Sequence, residues 1–414
     1  MTTTSLAPAI ESRDAARPLD AINFFLADVR DGLGPYLAIY LLTVQNWDEA
    51  SIGLVMSIAG IAGILAQTPA GALIDASRAK RGILIGAALA VTACALALPF
   101  LISFRGVAAS QILSGAAGAV FQPALAAMTL GLVGPKAFTR RTGRNEAFNH
   151  AGNATAATIA GVAAYAYGPQ VVFWLMAAMA LASIVSSLFL PVDRIDHDLA
   201  RGLHEDAAQG DATPKGFGVV LESRPLMIFA VSVVLFHFAN AAMLPLVGQK
   251  LSLIDRNLGT SLMSVCIVVA QAIMVPVAML VGAKADVWGR KPLFLAGLIV
   301  LTARGFLYTL SDDPFWLVAV QCLDGVGAGV FGALFPLVVN DITKGTGHFN
   351  VSQGAITAAL ATGAALSTGV AGQIVVRAGY NAAFLFLGGV AAVATLVYFV
   401  FMPETAGDAA LKGS

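Results

Sequence analysis

Residues 282–291 read Gly282-Ala283-Lys284-Ala285-Asp286-Val287-Trp288-Gly289-Arg290-Lys291, and residues 71–81 read Gly71-Ala72-Leu73-Ile74-Asp75-Ala76-Ser77-Arg78-Ala79-Lys80-Arg81. In both, a glycine precedes an aspartate by four positions and basic residues follow. The correspondence extends outward at an offset of about 210 residues. Gln111, Gly115 and Phe121 recur as Gln321, Gly325 and Phe331. Gly152, Gly161, Gly168 and Phe173 recur as Gly363, Gly372, Gly379 and Phe384. The chain is therefore two similar halves. Membrane proteins built this way usually hold a small solute between the halves and rock them around it.

Composition agrees. Apolar residues make up 58% of the chain and charged residues 12%, against roughly 45–50% and about 25% in an average soluble domain. A soluble chain of 414 residues has too little interior for that much apolar side chain. Runs of about 20 apolar residues cross a hydrocarbon core of roughly 30 Å as helices. Twelve occur, over 20–43, 50–74, 82–103, 106–133, 146–167, 170–191, 226–248, 259–283, 292–311, 314–339, 352–377 and 382–402. The expected fold is an all-α membrane protein with twelve transmembrane helices in two pseudo-symmetric six-helix bundles. The bundles span 20–191 and 226–402, joined by a linker over 192–225 and flanked by tails over 1–19 and 403–414.

Lys and Arg positions set the orientation. With the N-terminus inside, 18 of them fall in cytoplasmic segments and four, Arg105, Lys250, Arg256 and Arg377, in outer loops. Both termini are expected in the cytoplasm, with the chain multi-pass in a bacterial inner (plasma) membrane. The formal net charge is zero, and no basic, aromatic-interleaved patch points to nucleic acid. Cys94, Cys266 and Cys322 lie inside runs without motif spacing and read as small buried hydrophobes. The first run is too long for a signal-peptide core. His197 and His204 lie in the linker, where a solvated loop is expected. No resident metal and no cofactor are expected, and the chain is expected to be a monomer.

The stretch from Gly282 to Lys291 resembles the G-x-x-x-D-x-x-G-R-K loop signature of the major facilitator superfamily, and the resemblance covers nearly the whole chain. Small residues let helices approach closely, and the carboxylate can pair with basic groups or sit at a helix N-terminus. Gly71, Asp75, Arg78, Gly282, Asp286, Gly289, Arg290 and Lys291 are thereby expected to form conformational gating loops. Arg78 stands where the family has a second glycine. Proton-driven drug exporters of the superfamily often carry an arginine in the fourth helix, where this chain has Gln111. They also often carry a Gly-Pro pair in the fifth, where it reads Asn149-His150-Ala151-Gly152-Asn153.

An ionisable side chain at the bilayer centre costs roughly 2.5–3.5 kcal/mol on insertion scales, so each is a functional candidate. The densest group is Asp28, Arg30 and Asp31 in the first run, followed by Gly32, Gly34 and Pro35. At α-helical spacing Asp28 and Asp31 share a face, and the glycines and proline offer a hinge. Aligning Pro35 with Pro245 sets Asn240 opposite Arg30, with His237 one turn away. Two readings stand: proton coupling or substrate binding, or a self-neutralising Asp–Arg pair between helices.

In the fifth run Glu146, Asn149, His150 and Asn153 are the polar candidates. The family resemblance lines a central cavity with the first and fifth helices, which implies that these groups neighbour Asp28 and Asp31. A histidine titrating near neutrality suits a proton relay. Glu146 beside Arg144 also reads as a helix-end acid stabilised by the dipole. Arg304 and Asp324 fall at similar depth in adjacent antiparallel helices and read as a structural pair. Gln111 and Gln321 either bind substrate or bridge helices.

These features predict a secondary active transporter with alternating access, its partners a small-molecule substrate, protons and the lipid bilayer. No G-x-x-x-x-G-K-[ST] loop is present to use ATP, and no H-E-x-x-H or G-x-S-x-G constellation makes it an enzyme. Protons are the expected coupling ion, and efflux of an amphipathic organic compound the expected task. The alternatives are uptake or exchange of an organic anion held by Arg30, transport of a metal cation by Asp28, Asp31 and His150, and a transporter-like sensor.

Overall fold

The computed structural model describes residues 13–201, 223–255, 258–343 and 349–406. Lipid cannot satisfy backbone N–H and C=O groups, so apolar runs of this length close their hydrogen bonds internally as helices. The first span is α1 (Arg13–Ala27), one π-helical turn (Asp28–Gly32) and α2 (Leu33–Thr43). Then come α3 (Glu49–Ala76), α4 (Lys80–Ala97), α5 (Phe104–Gly118), α6 (Phe121–Tyr167) and α7 (Val171–Leu188). The second half holds α8 (Arg224–Ala241), α9 (Met243–Ile254), α10 (Gly259–Trp288), α11 (Arg290–Leu307), α12 (Pro314–Thr343) and α13 (Phe349–Phe401).

Helix ends follow local chemistry. Ser103 and Ser223 cap α5 and α8 by accepting from the Gly106 and Leu226 N–H groups. Gly134 (φ 71°, ψ 170°) breaks α6, and Gly379 (φ 81°, ψ 171°) breaks α13, in a backbone region open to little but glycine. Each break sits between two of the twelve apolar runs, so every run is matched by helix. Among the described residues, eight helical stretches are long and apolar enough to cross a membrane by length and composition, with Ser352–Phe401 counted as one.

Several boundaries differ from the sequence expectation. The fifth helix begins at the Gly134 break rather than at 146, which draws Arg140, Arg141 and Arg144 out of a loop and into a helix. Glu146 is therefore well inside the helix and is not a helix-end acid. Lys250 lies in α9 and is buried, not in a loop, because α9 carries the seventh span on to Ile254.

Two compact units divide the chain. One comprises Met1–Leu33, Ile61–Ala160 and Gln170–Gly210. There α1 packs on α7, and α4 on α5 and α7. The other comprises Gly34–Gly60, Gly161–Pro169 and Asp211–Ser414. Its α8 packs along α13, α10 along α12, and α11 against α12 and α13. A column of aromatic rings fills its core, with Phe294 stacked on Tyr398 at 4.8 Å and Phe331 on Phe335 at 5.3 Å between centroids.

Candidate functional site

The charges of the first span sit on the π-helical turn. Bonding there is i→i+5, so the α-helical spacing that puts Asp28 and Asp31 on one face does not carry across it. Single π turns within helices are frequent at functional sites. Asp28 is 7% exposed and Arg30 half-buried. The side chain of Asp31 lies outside the described residues. One turn earlier, α1 touches α6 closely: a Cβ at Gly152 would collide with the Phe24 carbonyl.

Along that contact runs a polar ladder that the sequence reading missed. Asp20 accepts from Arg141 Nη2 at 2.6 Å and from Arg144 Nε and Nη2 at 3.0 and 2.6 Å. Arg141, 2% exposed, donates through Nε to Asn145 Oδ1 at 2.8 Å, and Asn145 donates to Thr129 Oγ1 at 3.0 Å. A usable signal was present: Arg141, Arg144, Asn145 and Asn149 recur at three- and four-residue spacing, the mark of one helix face. Asn149 donates to Glu146 Oε2 at 3.4 Å. Next to them the Nδ1 of His150 is enclosed without a hydrogen-bond partner among the described residues, and Asn153 is half-buried. No hydrogen bond or ion pair joins His150 to Asp28 among the described residues.

In the second unit, Arg304 of α11 is the hub of a network that draws on α8, α9, α11 and α12. It is 1% exposed and pairs with Asp324 of α12. Its Nη2 donates to Asn240 Oδ1 of α8 at 2.7 Å, and its Nε approaches Met243 Sδ at 3.2 Å. Gln321 Nε2 donates to the second oxygen of Asp324 at 2.9 Å, and Tyr308 OH donates to Gln321 Oε1. Beside Asn240, His237 bonds the Val233 carbonyl through Nδ1 at 3.0 Å, its ring edge-on to Phe331 at 4.6 Å.

The halves have exchanged their charges. The offset that pairs Gln111 with Gln321 sets Cys94 in place of Arg304 and Ser114 in place of Asp324. The first half instead carries its arginine at the place of Asn240. Gln111 is buried like Gln321, yet its Nε2 has no partner among the described residues.

The two signature loops also differ. In the second, Arg290 donates to Asp286 at 2.8 Å and through Nε to Asp341 Oδ2 at 3.1 Å. Burial opposes its charge, but the hydrogen bonds and charges of these two carboxylates outweigh burial and raise its pKa. Glu404, just past α13, caps α11 by accepting from the Arg290 and Lys291 N–H groups at 2.8 and 3.1 Å. Gly289 (φ 83°) makes room for it, since a Cβ there would meet the Glu404 carboxylate. In the first loop Lys80 Nζ donates to the Ile74 and Ser77 carbonyls, both at 2.7 Å. Asp75 and Arg78 are both exposed. Close helix approach is not the role of the leading glycines here: a Cβ at Gly71 or Gly282 would meet nothing within 4 Å.

Close approach occurs instead where α3, from Glu49 to Gly60, runs along residues 365–372 of α13. A Cβ at Gly53 would strike the Thr368 carbonyl, one at Gly60 the Ala365 side chain, and one at Gly372 the Glu49 carbonyl. Ser57 Oγ lies 3.1 Å from Thr368 Oγ1 and accepts from the Gly369 N–H at 2.8 Å. Tyr380 OH donates to Glu49 Oε1 at 2.9 Å.

The family model of the Major Facilitator Superfamily matches residues 19–287 and 250–414. The chain belongs to the major facilitator superfamily. An MFS-type transporter of Mycobacterium tuberculosis is 60% identical over 390 residues, covering 94% of this chain and 93% of the relative. Among solved structures, a point-mutant form of the nucleoside transporter NupG aligns with a TM-score of 0.78 at 15% identity, covering 93% of this chain and 99% of that one. A D-xylose–proton symporter aligns at 0.68 and 14% identity, covering 95% and 98%. These two are alike in fold. The chain is a multi-pass membrane transporter of the superfamily and not an enzyme.

Proposed function

We propose that this superfamily member is a secondary active transporter that moves a small organic solute by alternating access and couples the movement to protons. Its task is efflux of an amphipathic compound across the inner membrane, with both termini in the cytoplasm. In that orientation the α3–α13 seam is the outer closure, and the Asp75 and Asp286 loops are the cytoplasmic gates. The observation that carries the reading is the π-helical turn inside a membrane span, with Asp28 buried in it and Arg30 beside it. Protonation of a buried carboxylate removes charge from its site, and a proton that binds one conformation better shifts the population toward it. Asp28 and Asp31 are the coupling carboxylates in this reading. His150, with an enclosed and unbonded ring nitrogen, is their relay. The ring cluster of Phe236, His237 and Phe331 suits the apolar part of the solute.

A second reading has its own support. The Asn240–Arg304–Asp324–Gln321 network offers amide and charged hydrogen-bonding groups fit for a polar solute. Two proteins of the same fold are a nucleoside transporter and a D-xylose–proton symporter. Proton-coupled uptake would then replace efflux.

A thermal-shift screen of the purified protein and its Asp31→Asn form, at two pH values, tests the coupling. The expected result is a compound that stabilises the wild type in a pH-dependent way and the variant without that dependence. Stabilisation indifferent to both pH and substitution contradicts coupling at this turn.

A further inference from the structure

Nearly every contact along the α3–α13 seam is between uncharged groups: glycine faces, alanine, and the hydroxyls of Ser57 and Thr368. Glu49 is the exception, a carboxylate bonded to Tyr380 just past the Gly379 break. We propose that Glu49 and Tyr380 form a proton-sensitive latch that holds the outer side shut when Glu49 is ionised and loosens when external protons neutralise it. The proposal rests on the alternating-access reading above.

An ionised carboxylate accepts a charge-assisted hydrogen bond roughly twice as strong as a neutral one. Protonation removes that charge, so acid weakens the closed seam. Glu49 lies in the first turn of α3, where the helix dipole favours its charge with the seam open or closed, so that contribution cancels.

The neighbouring groups leave Glu49 as the responsive one. Asp48, on the same turn, is held by the Ser51 N–H at 2.9 Å, which lowers its pKa, and it does not reach across the seam. From α13, Arg377 is exposed and forms no ion pair with Glu49 among the described residues. Lys250 of α9 is engaged by Asp312 at 2.5 Å and by Asn381 at 3.2 Å. An acid step therefore changes the bond that joins the start of α3 to Tyr380. In a proton-coupled cycle this favours outward opening when the outside is acidic.

The test uses spin labels at the exposed positions Val44 and Val376, in full-length protein with Cys94, Cys266 and Cys322 replaced by alanine, in lipid nanodiscs. Pulsed electron-spin distances are recorded at about pH 8 and about pH 4.5. In the background with Glu49 and Tyr380 intact, the open, long-distance population should rise on the order of tenfold in acid. Glu49→Gln and Tyr380→Phe should each show that raised population already at the higher pH, with at most about a twofold further response. An equal pH response in the background and both variants overturns the latch, as does a background that does not respond. Solute flux measured on the same proteins separates the two readings: absent flux in the background defeats the transport reading, while flux with distances indifferent to pH defeats the latch alone.

Discussion

Arg304 holds a guanidinium in apolar surroundings, and Asp324, Asn240 and Met243 close around it. Removing one member of such a pair leaves the other charged and buried, at a cost of about 3–5 kcal/mol. Arg304→Met should therefore lower the thermal unfolding midpoint in detergent strongly. Arg304→Met with Asp324→Leu should restore most of it, because two apolar groups leave nothing unpaired. Equal losses in the single and double variants would show that Arg304 acts by shape and not by charge. Depth in two adjacent helices is enough to bring Arg304 and Asp324 together from sequence. Asn240 and Tyr308 could not be added that way, since their arrival depends on the rotation of three helices. Asp20 escaped for a related reason: its partners Arg141 and Arg144 read as loop cations unless the fifth helix begins at Gly134.

Glycines act differently from element to element. Gly289 has a backbone conformation that side chains avoid and gives its Cβ space to Glu404, whereas Gly282 stands in open space inside α10. Gly289→Ala should destabilise by about 1–3 kcal/mol. Gly282→Ala should be neutral or stabilise by up to about 1 kcal/mol, as for glycine in a helix interior. Urea or thermal denaturation of the two variants side by side decides this, and equal effects would remove the distinction. The helices themselves were legible because lipid leaves apolar runs no alternative to helix. The π turn at Asp28–Gly32 was not, since the same residues fit an α-helix equally well. The interface glycines Gly53 and Gly60 were hidden among 42 glycines, whereas Gly372 stood out as the repeat counterpart of Gly161, and both of these are packed.

For the whole molecule, the duplicated halves and the twelve runs made the fold readable, while the solute and its direction depend on a cavity chemistry that repeats do not encode. A closed seam along α3 and α13 defines one end state of the proposed cycle, and bulk placed there should exclude that state. Gly53→Leu should shift the distance between labels at Val44 and Val376 to its long population at every pH, and slow transport by at least about tenfold, the effect of losing one of two required states. Unchanged distances in that variant would mean that the seam is not a gate. The most direct measurement is solute flux into or out of proteoliposomes under an imposed pH gradient, with wild type and Asp31→Asn compared at equal, folded protein content. The account predicts flux of an unmodified solute that reverses with the gradient in the wild type and loses its gradient dependence in Asp31→Asn. Full gradient-driven flux in the variant would contradict proton coupling at the π-helical turn.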